Sequence, residues 1–361
     1  MAHLIDKNLV INNQVNENGI IYRNVRNSPF EIYGLYKPQR QEPFSRMSEE
    51  VAKQVNNGVA RLNQYAAGGR VRFCTDSKYV AIKTSQPVFS NMSHMALISS
   101  AGFDIYIDNE EYSDSRYYDT FKPSTGMKDG FEAKIEFPNR QKRYLTLNFP
   151  SYSAVADLEI GLEATAFCGE GLKYKAISPI VYYGSSITQG ACSSRPGNAY
   201  PNIICRHTNI DFINLGFSGS ALGEPIMAEY LSQLEMSLFV CDFDHNTSCA
   251  KRLEEKALPF YLKFREKAPN VPYLMISRPD YHNQRYDENI LRRDAVYSAY
   301  KYAREHGDDK VFFLDGSSFF RDADSDMCTV DTTHPNDYGF YLMAKAIESE
   351  FRWIWAVNSH K

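Results

Sequence analysis

Five residues scattered along the second half of the chain could together carry out acyl transfer: Ser186, Gly219, Asn246, Asp331 and His334. A serine hydroxyl is a weak nucleophile at neutral pH until a base takes its proton, and an imidazole does this best when a carboxylate fixes its tautomer. His334 supplies the imidazole, and Asp331, three residues earlier, can reach back to its Nδ1. The attacked carbonyl develops negative charge, which a backbone N–H on a glycine turn or an uncharged side-chain amide can hold. Gly219 and Asn246 offer one of each. Every one of these residues also has an ordinary use: Ser185, Ser186, Asp331 and Asn246 can cap helices, and Gly219 can be a plain turn. Their placement in the fold has to decide.

The placement is legible around Ile177 to Gly190, ISPIVYYGSSITQG, where an apolar β-branched run stops at Gly184 and a loop or helix start follows. From there the pattern alternates. Strands are expected at 180–183, 211–215, 237–241, 272–276 and 310–314, and helices at 200–207, 225–234, 249–267, 288–306 and 337–353. Such alternation predicts a parallel sheet with helices on both faces, whose strands deliver their carboxyl ends to one rim. The segments after successive strands are Gly184-Ser185-Ser186, Gly216 to Ser220, Asp242 to Asn246 and Ser277-Arg278-Pro279-Asp280, and Asp331 to His334 precedes the last helix. All five candidates therefore share one neighbourhood.

Residues 1 to about 170 read differently. Short alternating runs recur at 19–22, 30–33, 71–75, 79–83, 103–108, 132–137, 143–149 and 158–162, separated by turns such as Ala67-Gly68-Gly69 and Lys128-Asp129-Gly130. This predicts an antiparallel β-sandwich or jelly roll, with Ser45 to Ala60 as a helix or a long crossing loop. The composition changes at Cys168-Gly169-Glu170-Gly171, a predicted hinge. Two domains are expected, 1–172 and 173–361, each burying its own core.

Composition excludes several classes of function. The 40 basic and 44 acidic side chains give a net charge of −4 without blocks of either sign, so neither nucleic acid nor an anionic membrane is an expected partner. Seven cysteines, an odd number without CxxC pairs, are neither a disulfide framework nor a zinc site. Cys192 could be a second reactive group, although a small buried side chain explains it better. The first residues, MAHLIDKNLVINNQ, lack the basic-then-apolar pattern of a secretory leader, and no apolar run reaches a membrane-spanning length, so a cytoplasmic protein is expected. The 25 Tyr and 22 Phe suit sugar stacking but more often fill β-rich cores.

With these residues in order, the C-terminal half resembles an SGNH (GDSL-type) hydrolase. Gly184-Ser185-Ser186-Ile187-Thr188 matches the serine block, Gly219 the glycine block, Asn246 the asparagine block and Asp331-Thr332-Thr333-His334 the Asp-x-x-His block. Gly102-Phe103-Asp104-Ile105-Tyr106 resembles the Gly-x-Asp-Leu-Tyr mark of a β domain found ahead of such hydrolases, with Ile for Leu. Two departures stand out: Ser185 takes the place of the usual aspartate, and Asp244-His245-Asn246-Thr247 replaces Gly-x-Asn-Asp. The resemblance implies a flavodoxin-like α/β hydrolase domain behind a jelly-roll-like one. It implies Ser186 as nucleophile, His334 as base, Asp331 as its orienter, and the Ser186 N–H, Gly219 N–H and Asn246 side chain as oxyanion hole. No metal or cofactor is implied. The expected activity is hydrolysis of short-chain acyl esters, O-acetyl groups on carbohydrates above all, with a small-molecule or oligosaccharide ester as partner and a homo-oligomer allowed. Ser185, His245 and Arg278 are candidates for binding substrate, as are Tyr183, Tyr200 and Tyr281, though a core role is the expected one for these tyrosines. A lipase or thioesterase on longer acyl chains, or a non-catalytic glycan-binding protein, are the alternatives. A phosphate-binding fold fits worst, because Gly216 to Gly223 lacks the spacing and lysine of a phosphate loop.

Overall fold

A computed structural model describes residues 11, 15, 18–110, 115–279, 286–321 and 325–359. Among the described residues the N-terminal half carries twelve strands: β1 (Ile20–Asn24), β2 (Glu31–Tyr33), β3 (Arg70–Thr75), β4 (Tyr79–Ser85), β5 (Val88–Phe89), β6 (Phe103–Asp108), β7 (Ser115–Phe121), β8 (Gly130–Glu136), β9 (Arg143–Asn148), β10 (Ser153–Ala154), β11 (Asp157–Glu163) and β12 (Cys168–Glu170). They form two main antiparallel sheets, ordered β1-β11-β4-β8 and β12-β3-β9-β6-β7 with β2 beside β3, and a β5–β10 pair. The period-2 pattern drives this. Along β8, Phe131, Ala133 and Ile135 are buried while their neighbours are not, and they join Val80, Ile82, Phe103, Leu145 and Ile160 in one core.

The second half adds β13 (Ile180–Gly184), β14 (Phe212–Gly216), β15 (Leu238–Asp242), β16 (Tyr273–Ile276) and β17 (Val311–Leu314), all parallel, in the order β14-β13-β15-β16-β17. Every residue of β13 and β15 is buried, as two central strands covered on both faces require. Helices α5 (Tyr200–Thr208) and α9 (Asp337–Ser359) contribute to the core on one face, together with Ile180, Tyr182 and Leu274. On the other face, α6 (Pro225–Leu231), α7 (Ala250–Arg265) and α8 (Tyr286–Glu305) pack with Val181, Tyr183, Phe239 and Met275.

Three expectations are corrected. The two halves do not bury wholly separate cores: the stretch 45–60 forms α1 (Glu49–Val55) and the start of α2 (Asn57–Leu62), whose Ala52, Val59 and Leu62 pack with Leu215, Phe217 and Met227 of the parallel half. Cys168–Glu170 is no hinge but an edge strand, paired with Phe73–Thr75. The sequence pattern gives no strand at β7, because SRYYDTF has no clean alternation; in the structure its pairing with β6 shifts register between Ile105 and Tyr106.

The halves are clasped by Asp104 of β6. Fully buried, it accepts hydrogen bonds from Asn148 Nδ2 (2.8 Å) and from the Gly197 N–H of the parallel half (2.8 Å), and it pairs with Arg195 at 3.5 Å. Gly197 must be glycine here, because a Cβ would strike Tyr106 and Asp104. Truncating Asp104 strands two donors in a dry interface and takes from Arg195 the carboxylate it faces. Asp104→Ala is expected to lower stability by about 2–4 kcal/mol, read as a shifted urea midpoint; an unchanged midpoint would remove Asp104 from this role.

Candidate active site

The serine loop is built by the residues around it. β13 ends at Gly184, where a Cβ would run into Thr188 and the Asp242 carbonyl, so only glycine lets the chain turn. Ser185 then caps α4 (Ser186–Gln189), its Oγ accepting from the Ile187 N–H at 3.2 Å and its own N–H donating to the Asp242 carbonyl at 3.1 Å. Wholly buried and engaged in this way, Ser185 is neither a second nucleophile nor a substrate contact. Beyond it, Thr188 donates to Asp242 Oδ2 (3.1 Å) and Asn214 donates to the Thr188 carbonyl (2.7 Å). Gln189 spans both halves of the protein, donating to the Ser151 carbonyl (3.1 Å) and accepting from the Ser218 N–H (3.0 Å). Tyr152 of the β half donates to the Ser186 carbonyl at 3.4 Å. Ser186 alone of this loop turns its hydroxyl toward His334.

Ser186 Oγ lies 2.8 Å from His334 Nε2, and His334 Nδ1 lies 2.8 Å from Asp331 Oδ2. The other Asp331 oxygen accepts the backbone N–H groups of His334 (2.8 Å) and Thr333 (3.2 Å), a tight turn closed by Thr332 in the left-handed region at φ 64. Partial burial pushes the Asp331 carboxyl up, but the hydrogen bonds and charge of His334 outweigh it, and the group is held below the ordinary carboxylate range. It therefore stays an acceptor, which puts the imidazole proton on Nδ1 and leaves the Nε2 lone pair facing Ser186. The structure thus brings together three residues that the sequence separates by up to 148 positions.

Gly219 and Asn246 also meet, but on each other. The Gly219 N–H donates to Asn246 Oδ1 (2.9 Å), and Asn246 Nδ2 donates to the Phe217 (2.9 Å) and Ala221 (3.2 Å) carbonyls. The amide expected to face an oxyanion is spent on pinning the 217–221 loop, whose carbonyls lack sheet partners. The Ser186 N–H, at the first position of α4, has no intrahelical acceptor. His245 and Arg278 contact one another, Arg278 Nη2 to His245 Nδ1 at 3.2 Å. Beneath them Asp244 accepts from the Arg278 N–H and pairs with Arg292 at 3.0 Å, an anchor between strand ends and α8. Tyr183 stacks on Phe260 and Tyr200 packs edge-on to Tyr182, both fully buried, so neither lines a cleft. Tyr281 and Asp280 lie outside the described residues.

Sequence reasoning missed what the β half brings. The His94 ring stands 5.6 Å from that of His334, tilted by 41°. Its carbonyl accepts from Cys192 Sγ at 3.4 Å. Burial, with Asp331 adding, pushes the Cys192 thiol up to about 12, so it is no nucleophile at neutral pH. Asp337, at the start of α9, fixes the 190–198 loop through the Ser194 N–H (2.8 Å) and Asn198 Nδ2 (2.8 Å). A lone histidine among loop residues, as in Ser93-His94-Met95, carries no local signal; only the packing of the halves reveals it.

Under the serine loop lies a second, unanticipated acid. Burial, with Asp244 adding, pushes the Asp242 carboxyl up to about 8 against the pull of its hydrogen bonds from Thr188 and Tyr200. An unfolded aspartate titrates near ~3.9, so between about pH 4 and 8 the folded protein holds a proton that the unfolded chain has lost, and stability falls as pH rises. Asp242→Asn removes that proton exchange. Urea midpoints taken at about pH 5 and about pH 8 are expected to favour the variant increasingly over wild type at the higher pH; parallel profiles would show Asp242 ionised throughout.

Comparison with known proteins follows the same division of the chain. Residues 177–352 match the GDSL-like Lipase/Acylhydrolase family, and residues 20–167 match the N-terminus of Esterase_SGNH_hydro-type proteins, the GxDLY domain. No match was found among curated proteins. Among solved structures, a Bacteroides ovatus protein described as a GDSL-like lipase is 26% identical with a TM-score of 0.84, the match covering 93% of this chain and 98% of that one. The salicylyl-acyltransferase SsfX3 of a tetracycline biosynthetic pathway is similar in fold at 18% identity and TM-score 0.74, covering 94% and 98%. A family two carbohydrate esterase from Clostridium thermocellum, in complex with cellohexaose, is similar at 14% identity and TM-score 0.59, covering 80% and 93%. Among the described residues no helix is long and apolar enough to cross a membrane. Two family models in the order the sheets dictate, with one solved structure similar across nearly the whole length, place the chain in the SGNH/GDSL-type hydrolase family, as a carboxylic ester hydrolase with an N-terminal GxDLY-type domain.

Proposed function

We propose that the protein is a serine esterase that removes short acyl groups, O-acetyl above all, from carbohydrates through an acyl-enzyme on Ser186. The observation that carries this reading is the continuous Ser186–His334–Asp331 hydrogen-bond relay, 2.8 Å at each step. Ser186 Oγ gives its proton to His334 Nε2 as it attacks the ester carbonyl, and Asp331 stabilises the imidazolium. Collapse of the tetrahedral intermediate expels the alcohol, which takes the proton from Nε2. Water then attacks the acyl-serine with His334 again as base, and Ser186 is regenerated. The Ser186 N–H is the oxyanion donor at hand. Gly219 joins it where the substrate oxygen displaces Asn246 Oδ1 from its N–H, and Asn246 joins where its Nδ2 exchanges the Phe217 or Ala221 carbonyl for that oxygen.

The strand order supports a flavodoxin-like sheet with substrate at the switch point beside β13, and the two antiparallel sheets support a jelly-roll-like domain ahead of it, with the boundary near 172. His245 and Arg278, at neighbouring strand ends on that rim, are candidates for contacting the leaving group. Similarity in fold to carbohydrate esterases, including an acetyl xylan esterase from Butyrivibrio proteoclasticus, supports the sugar ester as substrate class.

Initial rates on 4-nitrophenyl esters from acetate to octanoate test the proposal. Acetate is expected to be fastest, with Ser186→Ala inactive and Asp331→Asn slowed about 10⁴-fold. Ser185→Ala is expected to keep turnover while losing about 1 kcal/mol of stability, the ordinary cost of a lost helix cap. A rate peaking at octanoate would move the assignment to a lipase or thioesterase, and a folded wild type that cleaves no ester would make it a glycan-binding protein.

A further inference from the structure

One cluster beside the relay has the makeup of a metal site. His94, Cys192 and His334 offer ligand atoms that all lie within 4.8 Å of one another. They come from three segments that share no sequence neighbourhood: the loop ahead of the short helix α3 (Leu97–Ala101) in the β half, the turn after α4, and the turn before α9. Cys192 sits at φ 68, an unfavourable conformation for a residue with a Cβ, and the fold maintains it at this spot. The thiol's contact with the His94 carbonyl shows the first two segments already docked.

Two imidazoles and a thiol suit a borderline-soft ion such as Zn²⁺, whereas Mg²⁺ and Ca²⁺ want oxygen ligands. Tetrahedral zinc with its usual bond lengths places donor atoms roughly 3.4–3.8 Å apart. The observed spread therefore asks for a contraction of about 1 Å, which the half-buried His94 side chain can supply by rotation. A further feature fits. A zinc-bound histidine commonly donates its other ring N–H to a carboxylate, which fixes the tautomer and raises its basicity. His334 already does this through Nδ1 to Asp331, with Nε2 as the remaining lone pair.

We propose that Zn²⁺ binds between the two halves of the protein on His94, Cys192 and His334 Nε2, and that it switches the esterase off. Binding replaces the Cys192 S–H bond with a Zn–S bond, and the proton leaves to solvent. The inhibition follows from electron counting: the Nε2 lone pair that holds the metal is the one that must take the Ser186 proton. Only this consequence rests on the esterase reading; the binding itself does not.

The test uses the full chain, reduced and stripped with EDTA. Equilibrium dialysis against ZnCl₂ is expected to give one zinc per chain, and Co²⁺ in its place a thiolate-to-metal charge-transfer band in the near ultraviolet. Zinc at saturation should suppress 4-nitrophenyl acetate hydrolysis at least about tenfold, with EDTA restoring it. Cys192→Ser should lose the band, and Cys192→Ser, His94→Ala and His94→Gln should each weaken zinc binding about tenfold or more, with inhibition measured against each variant's own metal-free rate. Absence of stoichiometric zinc and of the band overturns the site, and so does inhibition that persists undiminished in all three variants. A band that forms in a protein that cleaves no ester upholds the site and refutes the esterase reading instead.

Discussion

The hydrogen bond between Ser186 Oγ and His334 Nε2 is the contact on which the functional half depends, and neither end of it is free to choose its place. Ser186 is set by the register of the parallel sheet: Gly184 lies opposite Gly216 on one side and Asp242 on the other, so three strands end level and the serine turn is laid over them. His334 is set by the start of α9, where Asp331 closes the turn on itself and Asp337 grips the 190–198 loop. A shift of one residue in β13 would put a residue with a Cβ against Thr188 and the Asp242 carbonyl, where Gly184 now sits. Precision in this relay is thus inherited from sheet register at one end and from a self-bonded turn at the other.

The β half is part of that inheritance rather than an appendage. Ser151 and Tyr152 bond to the serine loop, Asp104 to Gly197, and Arg46 reaches across to the Asn214 carbonyl at 3.1 Å. Arg46 is buried, no carboxylate among the described residues pairs with it, and burial pulls it down to about 9. It rests on backbone carbonyls and the face of Phe217, with its centre 4.4 Å from the ring. So costly a buried cation makes sense where carbonyls of an edge strand, here β14, would otherwise lack donors. The same argument explains α1 and α2, which cover apolar surface of the parallel half that its own helices leave open.

What could be read from the sequence follows from how local each signal is. β13, β15 and the long helices α7 and α8 are announced by runs of their own side chains, and Asp331–His334 by a spacing of three. The chemistry of Ser186 was legible because strand ends of a parallel sheet converge whatever the loops do. Three kinds of feature were not. β7 hides behind a register shift, His94 reaches the relay only through the docking of the halves, and the closure of Asn246 onto Gly219 depends on how the 217–221 loop folds back beside the end of β15. All three are decided by long-range geometry, to which a window of residues is blind.

The serine at position 185, where the family usually has aspartate, has a physical reason in the same neighbourhood. The position is wholly buried, and its N–H bonds to the carbonyl of Asp242, whose own carboxyl is already pushed up by burial and by Asp244. An aspartate at 185 would put a carboxylate in a wholly buried position whose described partners include no cation, and burying a charge without one carries a large penalty. A serine hydroxyl makes the same cap to the Ile187 N–H without bringing charge. The departure from the usual block thus preserves the turn that presents Ser186 while keeping a further charge out of the buried ground it shares with Asp242.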